Sequence, residues 1–240
     1  MGAQPTDGIV PRRSKLRAYV LLARVSNLPT VWTNVLAANV IAHAEFDSLP
    51  IALLSMSLLY TGGMFLNDAF DARFDSEARP DRPIPNGDVS RREAFVVGFG
   101  LLLFGEALLV FLPFPALALR WGLLLFVAIV FYDFAHKGIW FAPAVMGLCR
   151  ALIYLVVASS ATGGDGLVLV PALWMLAYVM SLTQIAKLAG RGDWVPWLIA
   201  GISIVDAIFI TMSGGGPIAA TIALAGFPLT LALQRVVPGT

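Results

Sequence analysis

Three aspartates lie close together in the sequence, at spacings that place them on one face of a helix. Asp68, Asp71 and Asp75 stand at positions i, i+3 and i+7, and residues at these intervals share one side of an α-helix. Asn67 lies at the edge of the same stripe. Carboxylates this close repel one another, and the C-terminal end of a helix disfavours negative charge. Because Mg²⁺ is commonly bound by one or two carboxylates together with substrate phosphates, we interpret these four residues as a metal and diphosphate site.

A proline-rich loop with two arginines follows the aspartates. Segment 79–87 reads Arg-Pro-Asp-Arg-Pro-Ile-Pro-Asn-Gly. Arginine suits bidentate contact with phosphate oxygens, and prolines restrict the backbone, which lowers the entropy of holding side chains over a site. We therefore predict that Arg82 binds the phosphates of a substrate, whereas Arg91 and Arg92 suit the anchoring of a membrane helix on its positively charged side.

Polar side chains also interrupt the apolar stretches. Arg24 and Asn27 lie one helical turn apart, Asn34 follows two turns later, and Arg150 lies in a distant stretch. Ionisable residues inside membrane spans usually face a cavity or the interior of a bundle, whereas asparagines also serve as hydrogen-bonding contacts between helices. We expect Arg24, Asn27 and Arg150 to bind substrate. For Arg150 the alternative is pairing with an acid elsewhere, and Asn34 suits a contact between helices.

A fourth group of polar residues ends another apolar stretch, where Tyr132, Asp133, His136 and Lys137 follow one another closely. Lys137 is a suitable point charge for a diphosphate, and Tyr132 is a hydrogen-bond donor to the substrate. Asp133 is the best-placed candidate for a base that deprotonates an acceptor, while His136 suits a structural role at the membrane interface. The residues predicted to act in catalysis are Asp68, Asp71, Asp133 and Lys137.

The elements that hold these residues are membrane helices. The 240 residues are 58% hydrophobic and 13% charged, whereas average soluble domains are about 45–50% apolar and about 25% charged. The net charge of +1 argues against nucleic acid as a partner, and the single cysteine, Cys149, leaves no pair for an internal disulfide. A membrane helix needs about 20 mainly apolar residues. Such stretches lie at 17–43, 49–69, 92–113, 117–133, 140–160, 167–189, 194–213 and 217–236.

The distribution of Lys and Arg predicts how the helices are oriented. With the N-terminus inside, most of the 16 basic residues lie in inside segments, as the positive-inside rule requires. We therefore predict an all-α, multi-pass protein of the cell (inner) membrane, with about eight (7–9) transmembrane helices. Residues 1–240 would form a single transmembrane domain with 1–16 as a cytoplasmic tail, and the loops that carry the polar motifs would also be cytoplasmic.

The motifs together resemble the UbiA superfamily of intramembrane prenyltransferases. The matching segments are 24–30, 67–75, 79–90 and 132–137. The resemblance implies a helical bundle around a central cavity, open laterally to membrane lipid and capped on the cytoplasmic side. It also implies Mg²⁺ as cofactor and an isoprenyl diphosphate as substrate. By position, it places Asn67, Asp71 and Asp75 at the metal and diphosphate site, with Asp68 beside them.

Segment 178–193 departs from the pattern of that superfamily. A second Asp-rich motif normally follows the sixth helix, and this segment holds one acid, Asp193. A second Mg²⁺ would therefore depend on Asp193 and on neighbouring neutral side chains. Alternatively, Lys187 and Arg191 supply directly the positive charge that a second metal would bring. We predict Asp193 as a metal ligand, and Lys187 and Arg191 as substrate-binding residues.

The resemblance implies a Mg²⁺-dependent enzyme that moves an isoprenyl group from a prenyl diphosphate to a lipophilic acceptor. Two alternatives stay open. An intramolecular acceptor in the same fold would give a terpene cyclase. A protein that kept metal-assisted headgroup binding without turnover would be a non-catalytic carrier of prenyl lipids or pigments, and the missing second motif is the main support for that alternative.

Overall fold

The computed structural model describes residues 12–189 and 192–239, and every regular element within them is a helix. The α-helices are α1 (Lys15–Leu22), α2 (Leu28–Ile41), α3 (Leu49–Ala78), α4 (Arg91–Leu108), α5 (Pro115–Ala135), α6 (Ala142–Thr162), α7 (Leu169–Ala189), α8 (Val195–Met212) and α9 (Pro217–Gln234). Within the described residues, the 7 helices α3 to α9 are long and apolar enough to cross a membrane. The predicted all-α membrane bundle is confirmed, and its number of spans lies within the predicted range.

The first predicted span, 17–43, is interrupted. A short 3₁₀ turn at Val25–Asn27 separates α1 from α2. Arg24 adopts the left-handed backbone conformation, with φ of 43°, which a continuous right-handed helix does not contain. Pro29 lies in the first turn of α2, where the missing N–H has no intrahelical partner to lose. The prediction of one continuous helix was wrong, because hydrophobicity does not report a local change of backbone conformation.

The longest helix, α3, carries all three aspartates. The predicted stretch ended at residue 69, but the helix continues to Ala78, so the acidic segment is helical throughout. Close packing against α4 fixes its position: a Cβ atom on Gly62 would lie 2.7 Å from the carbonyl oxygen of Gly98. Small residues at such crossings allow two backbones to approach closely. The aspartates therefore lie on a rigid, well-packed element.

The short helix α2 lies in the middle of the bundle. It packs against α3, α6, α8 and α9, and most of its side chains are buried. Successive helices joined by short connections run antiparallel. As a result, the C-terminal ends of α3 and α5 and the N-terminal ends of α2 and α6 meet at one end of the bundle, which we call the site end.

The proline-rich loop, which with its last residues spans 79–90 between α3 and α4, covers the site end. Gly87 takes the left-handed conformation that its turn requires, with φ of 77°. The backbone N–H of Arg13 donates to Asp88 at 3.0 Å, and the Arg13 guanidinium contacts the same carboxylate at 3.2 Å. At the end of the loop, the Ser90 hydroxyl accepts a hydrogen bond from the first turn of α4, as a helix cap does. The loop is thus held at several points beside the aspartates.

Candidate active site

Two arginines from different segments converge on Asp68. Arg24 Nη2 lies 2.8 Å from Asp68 Oδ1, and Arg82 Nη1 lies 3.1 Å from the same oxygen. Arg24 comes from the break between α1 and α2, and Arg82 comes from the proline-rich loop. All three side chains are largely shielded from solvent, where charge-assisted hydrogen bonds are strong. The interrupted first span therefore delivers a cation to the acidic face of α3.

Arg82 also binds Asp75, at 2.8 Å from Oδ2. The other Asp75 oxygen, Oδ1, is buried without a hydrogen bond, and Arg79 Nη1 lies 3.7 Å from it. Partial burial, followed by the charge of Arg82, lowers the pKa of the Arg79 guanidinium, because both effects disfavour a positive charge. An anion bound between Arg79 and Arg82 would reduce the repulsion between their positive charges. This part of the site therefore suits a phosphate group.

The third aspartate, Asp71, faces the end of α5. Lys137 Nζ lies 2.7 Å from Asp71 Oδ1, and His136 Nε2 lies 3.5 Å from Oδ2. The Lys137 ammonium also lies 3.8 Å from the centre of the Phe74 ring, within cation–π distance. The structure therefore brings Lys137 to the aspartates, and its predicted role toward a diphosphate stays a prediction. It also places His136 beside Asp71, although the sequence had indicated a structural role at the membrane interface for this histidine.

Asn67 connects the acidic face to α5. Its amide nitrogen donates to Asp133 Oδ1 at 3.2 Å, and its amide oxygen accepts from Arg24 at 3.3 Å. Asp133 is buried, and its second oxygen, Oδ2, has no hydrogen-bond partner. A buried carboxylate oxygen without a partner is costly unless a ligand or a proton satisfies it. Asp133 is therefore held in place at one oxygen and left available at the other.

The donor atoms of this site fit a magnesium ion that is shared with a bound phosphate. The described residues contain no compact group of three His, Cys, Asp or Glu side chains that could hold a metal alone. Mg²⁺ does not need such a group, since it is usually bound by one or two carboxylates, with waters and substrate phosphates as the other ligands. The buried, unpartnered Oδ1 of Asp75 and the neighbouring Asp71 carboxylate supply hard oxygen atoms of this kind.

Two cavities adjoin these residues. The first lies under the proline-rich loop and is rich in arginine; its charged lining residues are Arg13, Arg24, Asp68, Arg79, Asp81 and Arg82. The second is mainly apolar and lies between α3, α5 and α6. Its lining includes Met56, Met64, Ile129, Met146 and Ile153, with Tyr60, Tyr132, Asp133 and Arg150 as polar groups. Asp68 and Arg24 border the charged cavity, and Asp133 borders the apolar one, so the site is flanked by an arginine-rich cavity and an apolar cavity.

Among the described residues, three predicted site residues are not part of this arrangement. Asn27 accepts a hydrogen bond from Gln234 at 2.8 Å and donates to the Gly239 carbonyl at 3.1 Å, so it holds the C-terminal segment. Lys187 and Asp193 are exposed and line neither cavity. Arg191 lies outside the described residues. The roles assigned to these residues stay predictions, and the described geometry does not bring Asn27, Lys187 or Asp193 to the three aspartates.

Asp206, a buried acid in α8, was not among the polar residues singled out from the sequence. Asn34 Nδ2 lies 2.9 Å from each oxygen of Asp206, and Tyr154 donates to the same carboxylate. Asn34 in turn accepts from Arg150 at 2.9 Å. Asp206 carried a usable signal, because an acid within a long apolar stretch usually faces the interior of a bundle. Arg150 lines the apolar cavity and is linked to Asp206 only through Asn34, so its predicted role in substrate binding stays a prediction.

A known protein family matches most of this chain. A sequence profile of the UbiA prenyltransferase family matches residues 26–193. The digeranylgeranylglyceryl phosphate synthase of Methanopyrus kandleri is 32% identical over 173 residues, covering 70% of this chain and 61% of that protein. The digeranylgeranylglyceryl phosphate synthase of Korarchaeum cryptofilum is 39% identical over 101 residues, covering 42% of this chain and 36% of that protein. The matched part thus spans less than two thirds of the length of these curated relatives.

Comparison with solved structures identifies the same architecture. A UbiA homolog from Aeropyrum pernix, solved in its apo form, superposes with a TM-score of 0.61 at 16% identity, covering 90% of this chain and 95% of that one. A UbiA homolog from Archaeoglobus fulgidus, bound to GPP and Mg²⁺, superposes with a TM-score of 0.56 at 15% identity, covering 91% and 86%. At these identities the likeness concerns the fold.

Proposed function

Because the chain belongs to the UbiA prenyltransferase family, we propose that it is an intramembrane prenyltransferase that uses Mg²⁺. It would move an isoprenyl group from a prenyl diphosphate to a lipophilic acceptor. The observation that carries this proposal is the position of Asp68, Asp71 and Asp75 on one helix face, among Arg24, Arg82 and Lys137. Asp68 borders the cationic cavity, and Asp133, which Asn67 contacts, borders the apolar one. A molecule with a diphosphate head and a hydrocarbon tail matches that pair of cavities.

The cations bind the diphosphate in this mechanism. Arg24, Arg82 and Lys137 neutralise the aspartates when no substrate is bound, and each has further N–H donors available for phosphate oxygens. Asp71 and Asp75 would hold Mg²⁺, with Asn67 and Asp68 beside them. When bound, Mg²⁺ stabilises the negative charge that develops on the diphosphate. Preorganised positive groups around a leaving group are a large source of rate acceleration.

The bond changes follow from this arrangement. The allylic C–O bond breaks, its electron pair stays on the diphosphate, and the acceptor supplies the pair that forms the new bond to the prenyl carbon. The proton released by the acceptor passes to Asp133, whose free oxygen is buried at the wall of the apolar cavity. Tyr132 lines the same wall and can donate a hydrogen bond to the substrate. The apolar cavity keeps water away from the prenyl cation.

The relatives support one class of acceptor. Their name, digeranylgeranylglyceryl phosphate synthase, describes a product with a glyceryl phosphate group, so we propose a lipid of that kind as the first acceptor to test. We also propose that the site end of the bundle faces the cytoplasm of the cell, as the excess of Lys and Arg in its loops supports.

The test measures pyrophosphate release by the purified protein with farnesyl or geranylgeranyl diphosphate and Mg²⁺. We expect release only when a lipid extract or an alkylglyceryl phosphate is added, together with a prenylated product in the mass spectrum. Release without any acceptor would indicate cyclisation or hydrolysis instead. Binding of the diphosphate without release under every condition would indicate a carrier.

Two substitutions make this test specific to the site. Asp75→Asn removes a carboxylate next to Arg82 and should strongly reduce Mg²⁺-dependent release. Arg92→Gln removes an exposed charge at the start of α4 and should leave release unchanged. Full activity of the Asp75→Asn protein would reject the site, even if the reaction itself were observed.

A further inference from the structure

A guanidinium lies in the wall of the otherwise apolar cavity. Arg150 lines this cavity and donates to two side chains of α2, to Asn34 Oδ1 at 2.9 Å and to Thr30 Oγ1 at 3.0 Å. Both acceptors are neutral. A charged side chain within a membrane bundle is retained at considerable cost and is usually functional. The position of Arg150 therefore requires an explanation beyond packing.

The counter-charge of Arg150 is held one amide group away. Asn34 donates to both oxygens of Asp206 at 2.9 Å, and Tyr154 donates to the same carboxylate. Because the carboxylate accepts only from the NH₂ side of the Asn34 amide, it orients the amide oxygen toward Arg150. Asp206 thus positions Arg150 without pairing with it directly. A direct ion pair would have blocked the guanidinium from binding another anion.

The guanidinium retains unused donors. An arginine side chain carries five N–H groups, and two of its nitrogens bind α2. The side chain is partly exposed and lies within 5.8 Å of the centre of the Tyr60 ring, another wall residue. A hydrocarbon packed directly against the guanidinium, and not against the apolar part of the cavity wall, would leave N–H groups without partners, which is costly. An anionic oxygen would instead form charge-assisted bonds.

We propose that Arg150 binds the anionic head of the acceptor, a phosphate or a carboxylate, inside the apolar cavity. This inference rests on the proposed prenyl transfer and names the class of its second substrate. Tyr60 precedes Asp68 by eight residues on α3, a rise of about 12 Å at ~1.5 Å per residue. The acceptor head would therefore lie deeper in the bundle than the diphosphate. Its nucleophilic group would point back toward Asp133, which lines the same cavity.

The experiment measures head-group preference without turnover. Dodecyl phosphate, dodecanoate and dodecanol share one tail and differ only in the head, and native mass spectrometry from a neutral detergent counts the molecules bound. Saturating farnesyl thiolodiphosphate with Mg²⁺ occupies the donor site first, so that anionic probes do not bind among Arg24 and Arg82. We expect the wild-type protein to bind the two anionic probes about tenfold more tightly than dodecanol.

Three variants assign that preference to Arg150. Arg150→Met should lose it, while binding farnesyl thiolodiphosphate as the wild type does. Ser203→Ala is the matched control, because Ser203 belongs to the same buried layer, 3.3 Å from Thr33, and does not line the cavity; it should keep the preference. Asp206→Asn should weaken the preference by a smaller factor, as expected of a positioning residue. If Arg150→Met does not purify, Arg150→Gln replaces it, because it also removes the charge.

The outcomes are distinct. An anion preference that survives the loss of Arg150, or a wild-type protein without any preference, overturns the proposal. A stronger preference for dodecyl phosphate indicates a phosphate-headed lipid as acceptor, and one for dodecanoate indicates an acid; either supports it. Because these readouts need no catalysis, they remain informative if pyrophosphate release fails and the proposed transfer has to be abandoned.

Discussion

The C-terminal ends of α3 and α7 differ in how their charges are used. At the end of α3, Asp68, Asp71 and Asp75 each have a basic partner within 2.8 Å. At the end of α7, Lys187 is exposed, and Asp193 in the following turn is exposed as well. The cations that neutralise the acidic face come from the break after α1, the proline-rich loop and the end of α5. These cations all lie in the first half of the bundle, which runs from α1 to Lys137 just after α5; α6 to α9 form the second half.

The two halves therefore contribute different groups to the site, whereas a symmetric two-metal site would have an acidic motif in each half. The first half provides the acids and the cations that face them. The second half contributes one wall of the apolar cavity through α6 and the buried acid of α8, which is linked to Arg150 through Asn34. The absence of a second acidic motif therefore does not leave the three aspartates without facing cations.

The largest effect is expected at Asp71. Asp71→Asn removes a proposed Mg²⁺ ligand and leaves Lys137 without its carboxylate partner. Loss of one preorganised electrostatic group typically lowers kcat by about 10²–10³, and we expect a decrease of ~10³ in pyrophosphate release. Titration with Mg²⁺ at fixed donor checks the cause, since metal-dependent donor binding should disappear together with activity. A normal metal titration would contradict the assignment.

Asp133→Asn should lower kcat by about 10², because it removes the proposed base while the amide keeps the size of the side chain. Donor affinity should not change, since Asp133 contacts Asn67 rather than the cations. Single-turnover measurements with bound donor separate the two quantities. A loss of donor affinity with normal kcat would show that Asp133 serves to position Asn67 instead.

Arg82→Lys should raise the Kd for the donor about tenfold. Arg82 bridges Asp68 and Asp75 at 3.1 Å and 2.8 Å, and lysine cannot reproduce the planar fork that bonds several oxygens at once. Direct binding of farnesyl diphosphate provides the measurement. The exposed Arg92, replaced by lysine, is the matched control, and an equal loss there would show that the effect does not depend on the bridge between Asp68 and Asp75.

A smaller effect, on stability, tests the link between the halves. Asn34→Leu removes the amide that connects Arg150 to Asp206 and leaves both charges buried without that partner. Loss of one partner of a buried polar group costs about 1–3 kcal/mol, so the thermal midpoint in detergent should fall. Thr33→Val changes a neighbouring contact to Ser203 and should cost less. An unchanged midpoint for Asn34→Leu would show that water replaces the amide.

Periodicity explains how far the sequence could predict the fold and the site. The spacing of the three aspartates determines their common face on any helix, so their grouping could be predicted without a structure. Seven of the apolar stretches coincide with α3 to α9 within a few residues, apart from the longer α3. Lys137 could be predicted as a partner of the aspartates, because the end of α5 lies on the same side of the membrane as the end of α3.

The remaining features depend on backbone conformation and on contacts between distant segments. The left-handed Arg24 breaks the first span, and hydrophobicity is insensitive to that change. The amide of Asn34, on α2, joins Arg150 of α6 to Asp206 of α8, and it can do so because α2 packs against both helices. Asn27 could not be assigned to Gln234, because the two residues lie far apart in the sequence. Residue types and spacing alone specify neither a local backbone conformation nor a tertiary contact of this kind.

The smallest effect is expected at the end of α7. The size of that effect shows whether the two halves differ in function as they do in structure. Asp193→Asn and Lys187→Met should each change pyrophosphate release by less than about threefold, since exposed charges contribute little. Both side chains are exposed, and neither lines a cavity of the site. Steady-state kinetics over a range of Mg²⁺ concentrations would show a single metal-dependent transition. A second transition that Asp193→Asn removes would mean that the end of α7 closes over the diphosphate during turnover, and the predicted role of Asp193 as a metal ligand would then hold.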